Sequence, residues 1–250
     1  MSLAMNEDRA YVICHMMTSL DGKITFGTIN GKEVSFSVFN GFMDLYDQTY
    51  EKLNPSAWMC GRVTMDEFDE ENKISLDSFK NEIVNINEDY IVKNELNRFS
   101  VGIDVKGLLR WKENFLYIGK EKIDSNKFNL VMVVTKETPM EYLSYLRSKN
   151  ISYIFGGEKE LDFSVVFKKL KVEFNIDRVI LEGGGSINGS IIAEELIDEI
   201  SLLLMPLVIN NVEAPELFYK QLTTPKLYNF KLEKFEKIER DVLWLRYKRN

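Results

Sequence analysis

The stretch Val179-Ile180-Leu181-Glu182-Gly183-Gly184-Gly185-Ser186-Ile187-Asn188-Gly189-Ser190 carries the first decision about this chain. Its branched apolar start predicts a short buried strand, its three glycines a tight exit, and residues 186–196 a helix. Glycine lets a backbone approach a ligand closely. A helix start offers N–H groups that the helix leaves unpaired, at the positive end of its dipole. Together these suit a pyrophosphate. A plain strand-to-helix crossover, which any α/β protein contains, is the competing reading. The run is not GxGxxG and lies far from the N-terminus, which disfavours an ordinary Rossmann domain. Glu182 is an acid placed where a buried strand ends, so it needs a partner or a ligand.

Working outward, strands alternate with helices. Residues 11–16 (YVICHM), 57–60 (AWMC), 115–118, 130–135, 151–155 and 200–205 predict strands. Residues 39–53, 139–150 and 162–174 predict helices, the last with Val165, Val166, Leu170 and Phe174 inward. Asn54-Pro55 stops the first helix. Residues 66–112 are rich in Asp, Glu, Asn and Lys and predict a surface excursion with strand fragments at 90–92 and 100–104. Residues 226–235 and 241–248 are strand-like with no helix between them, as in an antiparallel pair. The expected fold is α/β: a mostly parallel sheet, helices on both faces and an antiparallel C-terminal edge. Residues 1–8 read as a tail or cloning remnant and 9–250 as a single domain.

Two further turns follow strands. Gly61-Arg62-Val63-Thr64 offers an arginine for a phosphate and a threonine for a helix cap or an anion, although a plain N-cap beside a solvated arginine is the favoured reading of four residues alone. In Ser19-Leu20-Asp21-Gly22-Lys23, the Asp-Gly pair predicts a turn. Ser19, Asp21 and Lys23 supply a donor, an acid and a base there. Such turns at strand C-termini are where open sheets bind ligands. His15, inside an apolar strand, reads as a buried hydrogen-bonded residue, and Cys14 and Cys60 as core thiols. Trp58, Trp111 and Trp244 read as packing residues, and Asp198-Glu199 as surface or interface charge.

Composition narrows the function. Of 250 residues, 45% are hydrophobic and 28% charged, which excludes disorder and a disulfide scaffold. The net charge of −7 argues against nucleic acid as a partner. No apolar run approaches the roughly 20 residues of a membrane span. Residues 1–9 lack the apolar core of a secretory signal. One histidine and two cysteines leave no metal-ligand set, and the sparse cysteines suit a reduced, cytoplasmic setting.

Taken together and in this order, SLDGKI (19–24), GRVT (61–64) and LEGGGSINGS (181–190) followed by LIDEISLLLMPLV (196–208) resemble the reductase domain of bacterial riboflavin-biosynthesis proteins. The resemblance implies a three-layer dihydrofolate-reductase-like fold and an NADPH-dependent reductase. Its small-molecule substrate is a phosphoribosylaminopyrimidine whose ribosyl group is reduced to ribityl. It further implies that Gly61, Arg62 and Thr64 form a cofactor turn, with Arg62 on the adenosine 2′-phosphate. Gly183, Gly184, Gly185 and Ser186 become the pyrophosphate loop, continued by Ile187, Asn188, Gly189 and Ser190. Glu182 and Ser19 then face substrate, Asp21 and Lys23 join Glu182 as catalytic candidates, and the protein is a homodimer with residues 201–209 contributing. The family's arginine-bearing segment after the first loop is replaced by residues 25–41, whose single basic residue is Lys32. That departure keeps open a reductase of another small carbonyl, imine or pteridine-like compound. A non-catalytic nucleotide-binding module is the third reading.

Overall fold

The structure is a computed structural model, and it describes residues 8–29, 32–35, 42–68, 74–80, 87–93, 97–118, 126–219 and 225–250. In chain order the elements are β1 (Tyr11–Thr18), β2 (Thr25–Ile29), β3 (Lys32–Ser35), α1 (Phe42–Lys52), β4 (Ala57–Gly61), α2 (Arg62–Met65), β5 (Phe99–Ile103), β6 (Phe115–Tyr117), β7 (Lys127–Val134), α3 (Met140–Ser148), β8 (Ser152–Phe155), α4 (Phe163–Phe174), β9 (Arg178–Leu181), α5 (Gly185–Ala193), β10 (Glu199–Leu204), β11 (Phe230–Lys237) and β12 (Leu243–Arg249). They group into two compact units. One holds residues 11–55 and 178–250; the other holds 56–177 with 8–10.

In the first unit the strand order is β11-β12-β10-β1-β9. β1 runs parallel to both β9 and β10, while β12 is antiparallel to β10 and β11 to β12. The antiparallel C-terminal edge is as the sequence predicts. β1 is buried along its length after Tyr11, which is why it reads as an unbroken apolar run rather than an alternation. α1 starts at Phe42, and residues 39–41 of the expected helix lie outside the described residues. Leu45, Tyr46, Thr49 and Tyr50 form its buried face.

One expectation fails in this unit. Glu199 is not surface charge: it is 2% exposed and takes a 2.5 Å ion pair from Arg246, without which its desolvation would be uncompensated. Its neighbour Asp198 accepts from the Val12 N–H at 2.8 Å. Of the apolar run 201–209, Ser201 and Leu203 are buried within β10 while Leu202 and Leu204 are half-buried. The β2–β3 hairpin was not foreseen.

In the second unit the order is β4-β5-β7-β6, with β8 also pairing β7. All these pairs are parallel except β6 with β7. The surface excursion expected over 66–112 is corrected here: β5 lies inside that range, is fully buried, and sits between β4 and β7. Ser100 and Gly102 dilute its apolar signal. Gly102 is small for cause, since a Cβ there would stand 3.0 Å from the side chains of Met65 and Met132. Trp111 and Leu109 are buried as well. Tyr90 makes one antiparallel bridge to Tyr153. On α4 it is Phe167, not Val165, that joins Val166, Leu170 and Phe174 inward; Val165 lies beside the N-cap Asp162 and faces out.

Candidate active site

The glycine turn sits between β9 and α5 as the sequence predicts. Gly183 has φ +83°, a conformation that a side chain would strain, and a Cβ there would meet the Met16 thioether at 3.0 Å. Gly184 caps α5 with its carbonyl, which accepts from the N–H groups of Ile187 and Asn188. A Cβ on Gly184 would meet nothing within 4 Å, so this side of the turn is open. Gly185 is the opposite case, because a Cβ there would run into the Glu216 carbonyl. Asn188 is fully buried. Its amide donates to the Leu217 carbonyl at 3.0 Å, and its Oδ1 has no hydrogen-bond partner among the described residues. An open glycine turn at a helix N-terminus fits a dinucleotide's phosphates, while the unpartnered Asn188 Oδ1, an acceptor, suits a donor such as a sugar hydroxyl and not a phosphate oxygen. Ser186 is exposed and Ile187 and Ser190 are half-buried, while Gly189 is buried.

The loop after β1 is tied as tightly. Gly22 takes φ +76° in the expected Asp-Gly turn. Ser19 is buried; its hydroxyl donates to Asp21 Oδ1 at 2.6 Å and accepts from the Lys23 N–H at 2.9 Å. Asp21 also accepts from the Ile209 and Asn210 N–H groups, at 3.1 and 2.9 Å. The Ser19 hydrogen bond, followed by those from Asn210 and Ile209, brings the Asp21 carboxyl down to about 2. It is therefore an anion at working pH and holds the loop. Lys23 is largely buried, with its ammonium 3.1 Å from Glu216 Oε1.

Both turns lean on one segment, residues 205–219, of which sequence reasoning singled out only the start, 205–209, and not as a partner of these turns. Leu20 donates to the Leu207 carbonyl, Ile24 to that of Pro215, Leu217 to that of Gly22, and Tyr219 to that of Gly185. This strap joins the first loop to the glycine turn. Its legible signals were Pro206, Pro215 and Asn210-Asn211, with Asn210 at φ +52°.

Glu182 is half-buried. It meets the phenol of Tyr46 on α1. Tyr46 donates to the His15 carbonyl at 2.7 Å and stacks on the imidazole at 4.4 Å. His15 is fully buried, as the sequence suggests. Nδ1 lies 3.0 Å from Ser201 Oγ and Nε2 3.3 Å from Thr49 Oγ1. Trp244 donates to the same Ser201 oxygen at 2.8 Å, and the Thr49 hydroxyl donates to the α1 backbone. One assignment satisfies the whole network: Ser201 donates to Nδ1, and Nε2–H donates to Thr49. The imidazole is thus a neutral structural pin between α1, β1, β10 and β12.

Gly61, Arg62 and Thr64 belong to the other unit. Gly61 is buried at the end of β4, and Arg62 and Thr64 are half-buried on the single turn α2. The expected threonine cap is not made: Gly61 occupies the N-cap position, without a side-chain bond, and Thr64 lies within the turn.

A family model described as the RibD C-terminal domain matches residues 10–244. The chain belongs to the RibD C-terminal domain family. Among curated relatives, the Aquifex aeolicus 2,5-diamino-6-ribosylamino-4(3H)-pyrimidinone 5′-phosphate reductase is 26% identical over 100 residues, 38% of this chain and 44% of that protein. Its Methanothermobacter thermautotrophicus counterpart is 28% identical over 84 residues, 34% of this chain and 38% of that protein. The chain thus matches less than half the length of these relatives. Among solved structures, a pyrimidine reductase-like protein from Corynebacterium diphtheriae superposes with a TM-score of 0.66 at 15% identity, covering 100% of this chain and 96% of that one. The Saccharomyces cerevisiae riboflavin biosynthesis reductase gives 0.64 at 15%, covering 99% and 93%. These likenesses establish a RibD-type reductase fold, in line with the resemblance read from the three motifs.

Proposed function

We propose that this RibD-family chain, residues 9–250 working as one domain, is an NADPH-dependent reductase. Its substrate is a pyrimidine bearing a phosphoribosylamino group, and the product carries the ribityl chain. The observation that carries this reading is the open turn at Gly184, strapped through residues 205–219 to the Ser19–Asp21–Lys23 loop. Gly183, Gly184, Gly185 and Ser186 would hold the pyrophosphate, with Ile187, Asn188, Gly189 and Ser190 shaping the helix behind it. Gly61, Arg62 and Thr64 would take the adenosine end, where Arg62 selects the 2′-phosphate.

NADPH supplies a hydride to the open-chain imine of the ribosylamine when bound. The chain's own residues position the acceptor and handle the proton. Asp21, held ionised by Ser19 and two backbone N–H groups, fixes the loop and keeps its charge toward the site. Lys23, held in position by Glu216, would supply the proton, since the Asp21 carboxyl is ionised. Glu182 faces the substrate, whereas Ser19, buried with its hydroxyl committed to Asp21 and Lys23, shapes the loop from within instead of facing substrate as the resemblance implies. The oriented imine then needs little more than alignment with the donor carbon.

The test is a paired titration with NADPH and NADH, then turnover with the pyrimidine substrate. Tight NADPH binding, much weaker NADH binding and turnover support the reading. NADPH binding without that turnover favours a different small carbonyl, imine or pteridine-like acceptor, a reading supported by Lys32 being the single basic residue of 25–41. Binding of neither cofactor leaves a non-catalytic module.

A homodimer is part of the proposal. The register sets Ile200 beside Tyr247 and Tyr247 beside Leu232, and sets Leu202 beside Leu245 and Leu245 beside Phe235, all on one sheet face. Phe235 is 68% exposed there. A second copy would cover this apolar face. Cytoplasmic residence accords with Cys14 and Cys60, both buried thiols outside any disulfide.

A further inference from the structure

Glu182 directly follows β9, and the β1–β9 pairing brings Cys14 opposite Leu181. One residue further along two parallel strands, Glu182 comes level with His15. Tyr46 arrives at that level from α1. Its ring is seated on the His15 imidazole and its hydroxyl is 2.7 Å from the His15 carbonyl. The phenol is therefore wedged between the β1 backbone and the Glu182 carboxyl. We infer that Tyr46 is a positioning residue for Glu182: anchored on the His15 carbonyl, its hydroxyl fixes the carboxyl at the end of β9 and governs its exchange of a proton. This rests on the reading of Glu182 as a substrate-facing group.

The chemistry of one hydroxyl between two acceptors explains how. With Glu182 ionised, the phenol proton turns to the carboxylate, because a charge-assisted hydrogen bond is the stronger of the two. With Glu182 protonated, the carboxyl donates to the phenol oxygen and the phenol donates to His15. The carboxyl thus keeps a hydrogen bond to the phenol in either state, and it is the His15 carbonyl that gives up its phenol bond when Glu182 is ionised. Tyr46 itself keeps its proton: burial first, then the Glu182 charge, pushes its phenol far above the ordinary value. Cys14 on β1 and Tyr50 on α1 are the other titratable side chains that act on it. Burial, then Glu182, keeps Cys14 a thiol, and burial keeps His15 neutral down to about 4. Neither competes for the proton.

The test is Tyr46→Phe in the full chain, with side-chain carboxyl carbons labelled and followed by NMR from about pH 4 to 8, a window spanning ordinary and raised carboxyl values. The Glu182→Gln spectrum assigns the Glu182 resonance. Replacing a donor by an apolar ring disfavours the charged carboxylate, so the Glu182 midpoint should rise by about one unit. In turnover, kcat should fall about tenfold with KM unchanged, and the acid limb of the pH profile should move up with the midpoint. An unmoved Glu182 midpoint overturns the inference, whatever the turnover. A moved midpoint in a protein that never turns over the pyrimidine substrate upholds it and sinks the substrate reading instead. Should Tyr46→Phe fail to fold, the wild-type Tyr46 phenolic carbon resonance decides: it must follow the Glu182 titration and lose that inflection in Glu182→Gln. A flat resonance in the wild type overturns the inference as well.

Discussion

Protonating His15 should destabilise this protein from the inside, and the size of the effect follows from the structure. His15 is fully buried and both of its ring nitrogens are engaged, by Ser201 and Thr49. Burial lowers its pKa from 6.5 to about 4, and the nearby Arg246 charge adds to this; hydrogen bonds at Tyr46 and Ser201 oppose it. The unfolded chain therefore binds the proton first as pH falls. Between about 6.5 and 4 the unfolded state carries more protons than the native one, so stability drops with pH and the contribution is intact above that window. From pH 7 to pH 5 the linkage amounts to roughly 2 kcal/mol, and its ceiling over the full shift is about 3 kcal/mol.

His15 is the only histidine, so its imidazole signals need no assignment and its folded midpoint can be read directly by NMR. Urea unfolding at pH 7 and pH 5, run on the wild type and on His15→Asn, separates the histidine from the carboxylates. The wild type should lose about 2 kcal/mol more than the variant on going to pH 5. An imidazole titrating near its ordinary value in the folded protein, or parallel losses in the two proteins, would refute the reasoning.

The glycines of the turn should separate binding from folding. Gly184→Ala points a methyl into open space and should weaken NADPH binding with little change in the unfolding midpoint, by fluorescence titration and thermal melts. Gly185→Ala drives a methyl into the Glu216 carbonyl and should cost about 1–3 kcal/mol, lowering the melting temperature by several degrees. Asp21→Ala removes the acceptor of the Ile209 and Asn210 N–H groups, so those amides should exchange faster by mass spectrometry while global stability scarcely changes. In acid the same carboxylate should release the strap only as pH falls toward about 2, because its pKa is depressed and the bonds are present above it. Phe235→Glu should turn a dimer into a monomer in sedimentation; a monomeric wild type would end that proposal.

The parts of the fold that were legible are those whose residues serve one purpose. β1 and β9 are buried on both sides and read as plain apolar runs; α1 and α4 keep an apolar stripe at helical spacing. β5 was expected as a strand fragment at 100–104, but its burial inside the sheet was missed for a packing reason. Flanked by methionines from α2 and β7, it carries Gly102 and Ser100, so its burial is created by neighbours remote in sequence. Val165 shows the opposite error, an apolar residue at an apparently inward spacing that stands beside the N-cap and faces out.

The site divides along the same line. Backbone requirements leave a mark in sequence, because positive φ at Gly22 and Gly183 and open space at Gly184 demand glycine. Side-chain partnerships across elements do not. Tyr46 and Thr49 look like any residues of a buried helix face, and only the arrival of α1 over His15 turns one into a partner of Glu182 and the other into an anchor of the imidazole. The strap is only partly legible for a further reason: Pro206, Pro215 and Asn210-Asn211 mark its turns, but its bonds to Gly22 and Gly185, and those it receives from Leu20 and Ile24, are backbone to backbone, so its side chains do not announce its partners. The sequence motifs mark where a ligand is approached, whereas the groups that hold Glu182, Asp21 and Lys23 in place come from α1 and residues 205–219. A substitution at Tyr46, or at Glu216 within that strap, should therefore disturb the chemistry while leaving all three motifs intact.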